Sequence, residues 1–160
     1  MLRVPIRDGT LDVVTSVTDI SFQNMDIRRM PHKYPNILIH FVFSTKERAN
    51  MIPAELLPML WKYFAGIGRN HGLPVLAAGG TSNHSHLLIA LPSDMAPAKA
   101  VQVLKANSSR WIRQHGIAFA WQEGYGAFSV SSSNKTAVRE YIEHQADIIA
   151  AGHSKQSLRR

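Results

Sequence analysis

Residues 73–92 read LPVLAAGGTSNHSHLLIALP, and this stretch decides the fold. Leu73–Ala78 and His84–Leu91 are short, mostly apolar runs, the first ended by Gly79-Gly80 and the second by Pro92. Apolar runs of this length between turn formers read as strands, and a loop of a few residues joins them as a hairpin. A helix flanks the hairpin on each side. Upstream, Pro53 suits a helix start and Gly72 its end, and Leu57, Leu60, Trp61, Phe64 and Ile67 form one apolar stripe between them. Pro58 falls early in that helix and shifts its first turn. Downstream, a helix from about Pro97 to Gln114 puts Val101, Leu104, Ser108 and Trp111 on one face, with Gly116 as its cap. Further out, Asn36–Ser44 (NILIHFVFS) reads as a buried strand and Ala127–Ser131 as a short one. Asn134 can cap a last helix containing Val138, Tyr141, Gln145 and Ile149. The order β-α-β-β-α-β-α predicts an α+β fold of the ferredoxin-like (RRM-like) type. In it, a split β-α-β antiparallel sheet carries helices on one face and a tyrosine-bearing helix at its C-terminal end. The open face of such a sheet often binds single-stranded nucleic acid.

Composition narrows the partners. The 160 residues are 45% hydrophobic, enough for one globular domain. Lys and Arg number 18 against 11 acids, a net charge of +7 that favours a polyanionic partner, usually nucleic acid. The absence of cysteine excludes disulfides, zinc–thiolate sites and thiol nucleophiles. No apolar run approaches the ~18 residues of a membrane span, and the N-terminus lacks a secretory signal's apolar core, so a cytoplasmic protein is expected. Residues 1–29 have no sustained period and read as a poorly ordered extension or an upstream translation artefact before Met30. An edge strand around Leu11–Val17 is the alternative. The functional domain is expected over 30–152, followed by a basic tail, 153–160.

Two constellations carry chemistry. On a strand, His84 and His86 point the same way, whereas on a helix they would diverge by about 200°. Two such imidazoles can share a metal ion. His40 lies inside an apolar strand, where a hydrogen-bonded core role is the commoner outcome, and it is not taken as a ligand. On the last helix, the i,i+4 spacing stacks Tyr141 and Gln145 on one face. A tyrosine can attack phosphorus covalently where a metal polarises the phosphate, and the Gln145 carbonyl oxygen could complete that metal's shell. The same tyrosine could instead only pack, with Val138 and Ile149. Tyr125, bracketed by Gly124 and Gly126, is the rival nucleophile and reads better as the anchor of a turn. Lys46, Arg48, Lys105 and Arg110 are candidate phosphate contacts. No phosphate-binding loop of the nucleotide-triphosphatase type is present, and Leu88 at the next alternate position rules out a histidine triad.

Taken in order, HFVFSTKER, NHSHLLIALP, KANSSRWI, WQEGYGAFSVS and YIEHQ, spread over residues 31–149, resemble the single-tyrosine HUH-type transposases of compact bacterial insertion sequences, including repeat-associated tyrosine transposases. The resemblance implies a DNA transposase that cleaves and rejoins single-stranded DNA at hairpin-marked ends. It implies Mg²⁺ or Mn²⁺ held by His84, His86 and Gln145, with Tyr141 forming a 5′-phosphotyrosine and releasing a 3′ hydroxyl. It further implies a homodimer in which the Tyr141 helix can complete the partner's site. Two positions depart from the pattern: Ser85 replaces a usually bulky apolar residue between the histidines, and Asn83 replaces a frequent acid. The competing expectation is a non-catalytic nucleic-acid-binding regulator derived from a transposase.

Overall fold

A computed structural model describes residues 37–145. The expectations for residues 1–29, for a strand at Leu11–Val17, for Ile149 and for the tail 153–160 lie outside the described residues. The chain runs β1 (Ile37–Ser44), α1 (Leu57–Asn70), β2 (Val75–Thr81), β3 (His84–Leu91), α2 (Pro97–Gln114), β4 (Gly126–Val130) and α3 (Lys135–Glu143), with short 3-10 turns before α1 and α3. The four strands form one antiparallel sheet in the order β2-β3-β1-β4. This is the α+β, split β-α-β architecture that the element order predicts.

Strand alternation sorts the side chains into two cores. Ile39, Phe41, Phe43, Leu87 and Ile89 face α1 and α2, which contribute Leu60, Phe64, Ile67, Val101, Leu104 and Ile112. The opposite parity, Leu38, Ala77 and Leu88, meets Ile142 of α3. Two helices therefore cover one face, and α3 seats on part of the other. That second face is only half open, because α3 covers its β2–β3 side.

Several boundaries differ from the sequence reading for local reasons. Gly79-Gly80 does not end β2: the strand continues to Thr81, and only Ser82 and Asn83 form the turn to β3. The two glycines are needed inside the sheet. A Cβ at Gly79 would collide with the carbonyl of Ile142, and Gly80 has φ 145°, a region side chains rarely adopt. The first helix starts later than Pro53 suggests. Residues 54–56 form a 3-10 turn, and α1 proper starts at Leu57 with Pro58 in its first turn, where the missing N–H costs nothing. Asn134 occupies the position before α3, but its side chain makes no capping bond.

Candidate active site

The hairpin turn is fixed from outside. The Thr45, Met51 and Ile52 N–H groups donate to carbonyls of Asn83 and Ser82, and the buried Thr45 hydroxyl also donates to the Asn83 carbonyl. Immediately after this turn, His84 and His86 project from the same face of β3, with ring centroids 5.1 Å apart. Asn83 Oδ1 accepts a 2.7 Å hydrogen bond from His84 Nδ1, and Thr81 Oγ1 lies 2.9 Å from the same nitrogen. An amide oxygen can only accept, so Nδ1 carries the proton and His84 keeps the Nε2 lone pair. The asparagine standing where an acid is common thus does an acid's orienting work without its charge. Ser85 faces the other way and is fully buried against the main core, so the histidine pair is undisturbed.

His40 belongs to this cluster, although the sequence reading left it out. Its Nε2 lies 2.9 Å from His86 Nδ1, and the two rings stack at 5.1 Å and 28°. His86 Nδ1 is thereby engaged and Nε2 is left to serve as a ligand, the arrangement by which a supporting group fixes a ligand's tautomer. The signal that finds His40 is parity combined with register. It shares its face with Val42, which pairs with His86, and it pairs with Leu88 on the same side. Burial, then the neighbouring His40 and His84 rings, hold the His86 imidazole down to about 4. Burial also lowers His40 and His84; a Gln145 hydrogen bond pulls His84 back up and Arg48 pushes it down. Neutral imidazole is the form that binds metal, and His86 stays neutral through physiological pH.

The last helix brings the second constellation onto the first. The Tyr141 ring lies 5.8 Å from His86 and 6.3 Å from His40, edge-on to both, and stays about half exposed. Gln145, just beyond the end of α3, is buried; its Nε2 donates to the Tyr141 carbonyl at 3.3 Å, and its side chain favours the charged form of His84. One chain therefore holds His84, His86, Tyr141 and Gln145 together. Tyr125 packs edge-on against Phe41 of the main core and makes no ring contact with the histidines among the described residues, although it borders the same cavity as His84 and His86.

The basic candidates separate. Lys46 and Arg48 lie exposed in the turn after β1. Arg48 borders a cavity that His84 and His86 also line. Glu47 and Arg48 both have φ near +57°, costly for residues with side chains, and the turn is held by the Glu47 N–H donating to Gln122 Oε1 at 3.0 Å. Lys105 is engaged within the fold: its ammonium donates to the carbonyls of Gln122, Glu123 and Gly124, and burial lowers its pKa. Arg110 is exposed on α2 and donates to Asn107 at 3.1 Å, on the sheet face away from the histidines.

The donor set fits a divalent metal. Two Nε2 atoms and an amide oxygen offer an incomplete shell, and no group of three or more His, Cys, Asp or Glu suited to a metal occurs among the described residues. An incomplete shell leaves positions for a substrate oxygen, as a catalytic metal site requires.

Known proteins resemble this chain in fold and family. A solved structure of a protein from Deinococcus radiodurans described as a transposase is similar with a TM-score of 0.57 and 22% identity, over 73% of this chain and 96% of that one. A REP-associated tyrosine transposase bound to a REP hairpin is similar with a TM-score of 0.54 and 14% identity, over 72% of this chain and 70% of that one. These two show the fold. A comparison with curated proteins finds no match. Residues 33–145, well over half of the chain, match the family model described as "Transposase IS200 like", and the chain therefore belongs to the IS200-like transposase family.

Proposed function

We propose that this chain cleaves and rejoins single-stranded DNA at hairpin-marked ends through a 5′-phosphotyrosine on Tyr141. The observation that carries the reading is the meeting, in one chain, of the His84–His86 pair, the buried Gln145 amide and the half-exposed Tyr141 ring. Each residue has a task. The paired neutral imidazoles and the Gln145 oxygen would hold Mg²⁺ or Mn²⁺, and two nitrogen donors would favour Mn²⁺. When bound, the metal draws charge from the scissile phosphate and the leaving oxygen. Tyr141 Oη attacks the phosphorus, a P–O(tyrosine) bond forms, and the P–O3′ bond breaks. The phenol's proton goes to solvent, and the departing 3′ oxygen takes one up. The new diester conserves the energy of the old one, so a 3′ hydroxyl can attack it and rejoin a strand without ATP. Lys46 and Arg48 stand at the same end of the molecule to meet phosphates.

Two copies of the chain form a dimer in this reading, as the family resemblance implies, and act on DNA in the cytoplasm. No described helix is long and apolar enough to cross a membrane. The test is cleavage of a labelled hairpin oligonucleotide with a single-stranded flank. Mn²⁺ supports cutting, and both chelation and the His84→Ala/His86→Ala variant abolish it. Undiminished cutting under either condition overturns the metal role. Hairpin binding without any cutting returns the chain to a non-catalytic regulator.

A further inference from the structure

Beside the histidine pair, the open half of the second sheet face holds a cavity of about 480 Å³. Val42 and Gly126, partners across the β1–β4 pairing, both line it. His84 and His86 border it, Phe128 borders it as well, and Arg48 and Gln122 complete the lining used here. Phe128 is 58% exposed, the most exposed large apolar side chain among the described residues. The ring leans over Gly126, where an added Cβ would come within 2.8 Å of it. On its other side it lies 6.2 Å from the His40 ring. The apolar seat of α3 on Leu38, Leu88 and Val130 does not include Phe128.

We infer that this cavity is a subsite for a single unpaired nucleobase, stacked on Phe128. The base belongs to the nucleotide adjoining the phosphate at His84 and His86, a placement that rests on the function proposed above. Three features select this occupant. An exposed aromatic ring on a sheet is a stacking platform, and every base offers it a π face. Val42 and the Tyr125 and Phe128 rings give the cavity apolar surface, so it accepts a flat face, while Gln122 and Ser44 add polar groups at its wall. Arg48 supplies positive charge where the nucleotide's own phosphate would lie. A base inside a duplex cannot enter a cavity on one sheet face without leaving its stack, so the subsite also selects for unpaired DNA.

The probes are hairpin oligonucleotides with a five-nucleotide single-stranded flank, each carrying 2-aminopurine at one flank position in turn. Protein binding is followed by anisotropy of a terminal dye, without added metal, alongside 2-aminopurine fluorescence. We expect the fluorescence at one flank position to be quenched on binding. Phe128→Ala should abolish that quenching and weaken binding about tenfold, while Phe128→Tyr should keep both near the parent's values. Anisotropy showing the oligonucleotide bound with no position sensitive to Phe128→Ala overturns the subsite, whether or not the DNA is later cut. Sensitivity at one position in a protein that forms no tyrosine adduct would keep the subsite and remove the proposed chemistry. The two failures are therefore distinguishable.

Discussion

The Ser85 hydroxyl is fully buried between two histidines of opposite orientation, and it has no hydrogen-bond partner among the described residues. Desolvating a hydroxyl without compensation is costly, so Ser85→Ala should raise stability by about 1 kcal/mol and the melting temperature by a few degrees. Because the side chain faces away from His84 and His86, the variant should keep its metal affinity; a drop in stability would contradict this account of the position. His86 gives the pH dependence. Its folded-state pKa of about 4 lies below the ordinary 6.5 of an unfolded histidine. Between those values the unfolded chain binds more protons than the native one, so stability falls as pH drops from about 6.5 to 4 and is insensitive to this group above 6.5. Urea midpoints at pH 7 and pH 4.5 in chelator should differ less for His86→Gln than for the parent, and equal differences would argue against a neutral, buried His86. The histidine pair was legible from residue spacing alone, since it rests on strand alternation; the expected Tyr141–Gln145 helix face was not, because α3 ends at Glu143 and Gln145 follows the break at His144. The part played by His40 was not legible, because it depends on the β1–β3 register, which pairs residues 46 apart in sequence.

At the scale of elements, the position of α3 decides whether Tyr141 reaches the histidines. The helix is nine residues long with one fully buried side chain, Ile142, and its backbone lies against Gly79. Alanine for glycine usually stabilises a chain where the backbone allows it, but here the methyl group meets a carbonyl. Gly79→Ala should therefore lift α3, leave the α1–α2 core intact, and slow adduct formation about 100-fold, since a shift of about 1 Å at a reacting group costs that much. DNA binding should be nearly unchanged, and an adduct rate equal to the parent's would show that α3 is not held through Gly79. The sequence reading took Gly79-Gly80 as the end of a strand. Glycine pairs signal turns more often than close helix–sheet approach, and a local reading cannot see the helix that arrives some 60 residues later. The helices α1 and α2 were legible because one face of each is buried, and β1 and β3 because they are apolar runs bounded by turn formers. The face that α3 covers was not, because so short a helix carries too few apolar residues to choose a side.

For the whole molecule, the match over residues 33–145 makes the chain an IS200-like transposase, and a single chain already presents every proposed catalytic group. In the proposed dimer, the small seat of α3 would let it exchange between copies, as in domain swapping, with Ile142 refilling the partner's second core. Mixing the His84→Ala/His86→Ala chain with the Tyr141→Phe chain should then restore adduct formation, on the chain that retains Tyr141. A mixture that stays inactive would confine the chemistry to each chain's own helix. Denaturing gels with 3′-labelled and 5′-labelled hairpin oligonucleotides test the covalent bond through Tyr141. The account predicts label retained on the protein only with the 3′-labelled strand, lost in Tyr141→Phe and kept in Tyr125→Phe. Label surviving in Tyr141→Phe and vanishing in Tyr125→Phe would contradict it.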